Sequence, residues 1–140
     1  MLEHLSIDTV HGLIGLVQIR KQLDTLRPRT SGTASDELLD FIAPETEIGK
    51  AVLSLMASGQ RMIAGMPREH KIELVALMYL GRDGCGWSNA VGYGQREVDS
   101  AESNMPVYMI SKCDLDEYLD DGLAALGLPR VNEYSVGAAW

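Results

Sequence analysis

His4, Asp8 and His11 stand at i, i+4 and i+7, and on a helix Asp8 and His11 would share one face. Imidazole and carboxylate groups bind divalent metals, so this trio is a candidate metal site, to be completed by Glu3 or by a second subunit. The plainer reading is a solvated helix start, because His4 precedes the first good helix cap, Ser6. Gly81-Arg82-Asp83-Gly84-Cys85-Gly86-Trp87 raises a second possibility. Glycine-rich phosphate loops follow a strand and open a helix N-terminus, which attracts anions. Here the glycines follow an apolar helix, whose C-terminal end carries partial negative charge. The spacing predicts a glycine stop, with Gly81 left-handed and Arg82 facing the last carbonyls. Arg82, Asp83 and Trp87 then remain as candidates to line a groove for a ligand or a partner, because Arg and Trp favour binding hot spots.

Other reactive side chains have simpler roles. Asp114, Asp116, Glu117, Asp120 and Asp121 fail the calcium-loop pattern, which needs glycine where Leu119 stands. They read as an acidic helix start and a solvated face. His70, between Glu69 and Glu73, is an acid/base candidate with no nucleophile assigned to it, and reads as a solvated first-turn residue. Cys85 and Cys113 form no Cys-x-x-Cys pair and read as free thiols in a cytoplasmic protein, although Cys85 between glycines invites a reactive-thiol reading. The seven methionines read as pliable core.

The elements that must position these residues are helical. Ser6 caps a helix to about Leu26, with Val10, Leu13, Ile14 and Val17 at helical spacing and Leu16, Ile19 and Leu23 on an adjoining face. Gly12 and Gly15 inside it predict close approach of another backbone. Arg20, Lys21, Arg27 and Arg29 read as cations set against this helix's own dipole. Residues 28–35 form a loop, Asp36 to Ile42 a short helix, and Pro44 opens a longer one through Val52, Leu55, Met56 and Ile63. After Pro67 at a first-turn position, Leu74 to Leu80 is apolar on every face, which predicts a central helix buried all round. Ser88 is placed as the cap of a helix to about Ala101, weakened by Gly92 and Gly94. Val107 to Ile110 is too brief to assign by period. Ser111 and Asp114 resemble a capping box for a last helix ending before Gly127. No strand-like alternation of useful length occurs.

The chain has 140 residues, 46% of them hydrophobic, enough for one domain to bury a core without disulfide or metal. Its net charge is −8, and residues 97–140 carry nine Asp/Glu against two Lys/Arg, which repels phosphate backbones and argues against nucleic-acid binding. The N-terminus lacks a basic leader pattern, and no apolar run approaches the ~20 residues that span a bilayer.

Glu-Leu-Val-Ala-Leu-Met-Tyr-Leu-Gly-Arg (73–82), the nearby Trp87 and Tyr-Leu-Asp-Asp-Gly-Leu-Ala-Ala-Leu-Gly-Leu (118–128) resemble a bacterial family known as domain of unknown function 3775. In that family a helix ending in Leu-Gly-Arg precedes a tryptophan helix, and a Tyr-Leu-acid-acid-Gly-Leu helix closes the domain. The likeness covers roughly residues 60–128 and implies a helical fold with no assigned activity.

The expectation is an all-α, bundle-like domain of about six helices around a buried helix at about 68–80, with an N-terminal helix and loop (1–34), a core (35–128) and a tail (129–140). The expected role is a cytoplasmic, non-enzymatic helical module that binds a protein partner or itself as a homodimer, without membrane or cofactor. The first helix's two apolar faces and the tail Val136 to Trp140 are the basis for self-association. The alternative is a ligand- or metal-binding protein using Arg82, Asp83 and Trp87 or His4, Asp8 and His11.

Overall fold

A computed structural model describes residues 2–26, 47–100 and 104–131. Among them are six helices and no strand: α1 (Ile7–Leu26), α2 (Glu47–Ala64), α3 (Arg68–Asp83), α4 (Trp87–Asp99), α5 (Met105–Ile110) and α6 (Leu115–Ala125). The expected 36–42 helix, Pro44, Arg27, Arg29 and the tail Val136 to Trp140 lie outside the described residues.

Ser6 starts α1 as expected, its Oγ accepting the Thr9 amide at 3.1 Å. Val10, Leu13, Ile14 and Val17 are fully buried, while Ile19 on the far side is exposed. Gly12 and Gly15 correct the expectation of close approach, since a Cβ at either would meet nothing within 4 Å. The principal contacts run in succession: α4 packs on α3, α3 on α6, α6 on α1, α1 on α2, and α2 on α5.

Helix α3 is the buried centre. Leu74 to Met78 expose nothing to solvent, because each direction around the helix meets a neighbour. On two sides that neighbour is backbone. A Cβ on Gly81 would strike the Tyr118 carbonyl oxygen and come within 2.8 Å of the Gly122 nitrogen. One on Gly122 would strike the Leu77 carbonyl, and one on Gly94 of α4 would lie 2.6 Å from the Ile72 carbonyl oxygen. Gly81 therefore does not end the helix, which corrects the expected stop. The left-handed residue is Gly84, with φ 67°, whose amide donates to the Leu80 carbonyl at 3.0 Å. The expectation failed because tertiary packing against α6 leaves no room for a Cβ at Gly81, which local sequence does not display.

Three further starts differ from expectation. Pro67 flanks α3 rather than occupying its first turn, and α4 begins at Trp87 after Gly86, which places Ser88 inside it. Ser111 does not cap α6, because its hydroxyl donates to the Tyr108 carbonyl at 2.7 Å. The end of α6 is as expected: Gly127 has φ 73°, its amide donates to Ala124 and the Leu128 amide to Leu123, a Schellman closure.

Two buried charges fasten α1 to the rest. The Glu73 carboxylate accepts the amides of Glu3 (2.9 Å), His4 (3.0 Å) and Leu5 (2.7 Å), so Glu73 is a clamp on the N-terminal segment rather than a solvated neighbour of His70. Arg20 is buried and donates to the carbonyls of Ile110 and, at 2.9 Å, Lys112. It thus serves the C-terminal end of α5, not that of its own helix, which corrects the dipole reading. Lys21 stands 2.7 Å from Asp116 Oδ1 as an ion pair, although that oxygen has no hydrogen bond of good geometry.

The three kinds of glycine should separate in urea denaturation. Gly81→Ala should destabilise by roughly 3 kcal/mol through overpacking against backbone. Gly84→Ala should cost about 1–2 kcal/mol from its left-handed conformation, and Gly12→Ala should gain about 0.5–1 kcal/mol. A Gly81→Ala chain as stable as the original would contradict the close crossing.

Candidate binding face

Helices α4 and α5 are the two ends of the packing succession, and they face each other across a groove of about 720 Å³. Its lining is mostly apolar surface and includes Arg96 and Glu97 from α4, Val107 and Tyr108 from α5, and Ser111 beyond it. The adjoining surface is built from tyrosines, each with a cation one helical turn later. Arg82 lies 4.7 Å from the Tyr79 ring centroid, Arg96 4.8 Å from that of Tyr93, and Lys112 4.2 Å from that of Tyr108. Tyr79 and Tyr93 meet at 5.1 Å between centroids, joining α3 to α4.

The electrostatics are local. Burial first, and then the hydrogen bond that the Tyr79 hydroxyl donates to Glu97, push Tyr79 up to about 12. Tyr108 is nearly half exposed, and its hydroxyl is held below the usual phenol range, chiefly by Lys112 and secondarily by Arg82. Arg82 also pairs with Asp83 at 3.0 Å and holds that carboxyl below its ordinary value.

The candidate residues read from sequence are distributed unevenly. Arg82 belongs to the tyrosine and cation cluster, with Asp83 as its salt-bridge partner. Arg82 also borders a polar concavity with Gly81, Asp116, Tyr118 and Arg130, whereas Trp87 borders a separate one of about 210 Å³ with Glu3, His4, Ile72 and Val91. Trp87 is half-buried and packs against the core. His4 stacks on His70, with centroids 6.1 Å apart, Asp8 is exposed in the first turn of α1, and His11 Nε2 lies 2.9 Å from the Pro129 carbonyl oxygen. No group of three or more His, Cys, Asp or Glu among the described residues is arranged to hold a metal. Cys85 is half-buried and Cys113 exposed, both as free thiols.

Sequence reasoning missed Tyr79, Tyr93, Arg96, Tyr108 and Lys112 as a group. Their signal was present as Tyr79-x-x-Arg82, Tyr93-x-x-Arg96 and Tyr108-x-x-x-Lys112, three aromatic–cation pairs at helical spacing on three segments.

Tyrosine ionisation gives a test. The neutral phenol of Tyr79 is favoured in the fold, so its contribution to stability is complete below pH 10 and is lost as pH rises from 10 towards about 12. Urea denaturation should show the wild-type chain losing more stability across that window than Tyr79→Phe, and parallel curves would contradict the assignment. In an absorbance titration Tyr108→Phe should remove a tyrosine transition that falls below the usual phenol range.

Among the described residues no helix is long and apolar enough to cross a membrane. No curated protein and no solved structure matches the chain. A family model described as "Protein of unknown function (DUF3775)" matches residues 58–128, from within α2 to the Schellman closure after α6. That match takes in α3, both glycines of its crossing with α6, and all three tyrosine–cation pairs. It spans half of the sequence, and the chain belongs to the DUF3775 family.

Proposed function

We propose that the protein is a non-enzymatic helical interaction module whose working surface is the tyrosine and cation face of α3, α4 and α5. The observation that carries this reading is the alignment of Tyr79, Tyr93 and Tyr108 with Arg82, Arg96 and Lys112 beside an apolar groove. Tyr and Arg supply large contact area and directed hydrogen bonds at little entropic cost, which is why they dominate binding hot spots. Solvent-exposed Val107 and Tyr108 add apolar area at the groove's edge. The partner is a protein, either another chain or a second copy, and the cytoplasm suits two free thiols. The ligand or metal alternative draws less support, since Arg82 and Asp83 satisfy each other and His4, Asp8 and His11 occupy separate environments.

Cross-linking in native cell extract tests the proposal. The wild-type chain should capture a defined set of proteins, or itself, that Tyr93→Ala/Tyr108→Ala loses while unfolding at the wild-type midpoint. The same set captured by both chains would refute the assignment of this face.

A further inference from the structure

We infer that the groove between α4 and α5 takes a short acidic peptide segment carrying an apolar anchor. This rests on the proposed interaction face and adds the chemistry of its partner. Arg96 stands on the α4 wall and Lys112 just beyond α5, each lying over a tyrosine ring, and neither has a carboxylate partner among the described residues. Of the acids nearby, Asp83 is paired with Arg82, whereas Glu97 accepts the Tyr79 hydroxyl and keeps its charge. Among the described residues the groove and its rim therefore carry two cations, Arg96 and Lys112, against one carboxylate, Glu97, a net positive charge in a chain whose net charge is −8. Over Tyr93 and Tyr108 those cations stay spread against the ring faces and open to an incoming carboxylate. Val107 and Tyr108 supply the apolar surface on which a side chain between the acids would rest.

A peptide fits this arrangement better than nucleic acid. Two cations match two carboxylates, whereas a polyanion with a charge on every nucleotide would extend past the pair that the groove offers. Charge complementarity of this kind selects among partners and speeds their encounter.

The test is panning of a random peptide library on the full chain, followed by fluorescence anisotropy with the enriched peptides. Enrichment should favour Asp or Glu flanking an aromatic or aliphatic residue. Binding of these peptides to Arg96→Glu/Lys112→Glu should be weaker by about tenfold or more at low salt, with less difference at high salt, and the variant should unfold at the wild-type midpoint. Enriched peptides without acidic bias that still lose binding to Tyr93→Ala/Tyr108→Ala would overturn the acidic partner and leave the interaction face standing. Peptides bound equally by both double variants and the wild-type chain would overturn the groove and the face together. A labelled oligouridylate that binds more tightly than the acidic peptides, and is lost on charge reversal, would overturn the inference in favour of single-stranded nucleic acid. A dimer formed by the wild-type chain and lost on the same reversal would overturn it in favour of a second copy.

Discussion

Helices α3 and α6 touch through their backbones, and most of the arrangement follows from that contact. Side chains ordinarily hold helix axes about 8–10 Å apart. Gly81 and Gly122 remove that spacer from both partners at one crossing, and Gly94 removes it from α4 where it meets the first turns of α3. With its neighbours this near, α3 has no solvated side between Leu74 and Met78, which is why a uniformly apolar sequence is tolerated there. The crossing also sets the angle at which the end of α3 leaves the core. Tyr79 and Arg82, just short of and just past Gly81, are thereby turned towards α4 and α5.

The N-terminal helix lies outside the residues matched by the family model, yet it shares the same core, with Val10, Leu13, Ile14 and Val17 packed among Leu74, Leu77, Met109 and Leu119. Apolar contact alone is non-directional and would permit α1 to slide or rotate. Glu73 and Arg20 supply direction. Each is a buried charge satisfied by backbone groups at a helix end: three amides entering α1 for Glu73, two carbonyls leaving α5 for Arg20. A displaced α1 would strand both charges in a poorly solvating interior, a cost of several kcal/mol per ion.

What was legible in the sequence depended on the range of the interaction. Helical class, the buried segment at 74–78, the Ser6 cap and the Gly127 closure are properties of a few consecutive residues, and they could be read directly, whereas Tyr79 within the expected 74–80 core is half-buried. Gly81 and Gly84 could not be told apart, because a helix-ending glycine and a helix-crossing glycine look alike until the partner backbone is known. The same limit explains Gly12 and Gly15, which face open space, and Arg20, whose carbonyl partners lie 90 and 92 residues away. The Leu-Gly-Arg and Tyr-Leu-Asp-Asp-Gly-Leu patterns that carried the family resemblance contain the two crossing glycines. Of the candidate site, only Arg82 was singled out in advance. The rest is assembled from pairs on three helices whose proximity is a product of the fold.

Among the described residues the succession of packed helices leaves a groove between α4 and α5, and the rings of Tyr79 and Tyr93 brace one wall against the central helix. That wall depends on the glycine crossings, since Gly94 seats α4 directly on the α3 backbone at Ile72. Native-state amide hydrogen exchange reads this dependence most directly. The amides of Leu74 to Leu80 and of Leu119 to Leu123 should exchange only through global unfolding, with one shared free energy equal to that from denaturant titration and the same urea dependence. Exchange of the α3 amides through a smaller opening, while α6 stays protected, would contradict the claim that their backbone contact holds the structure together.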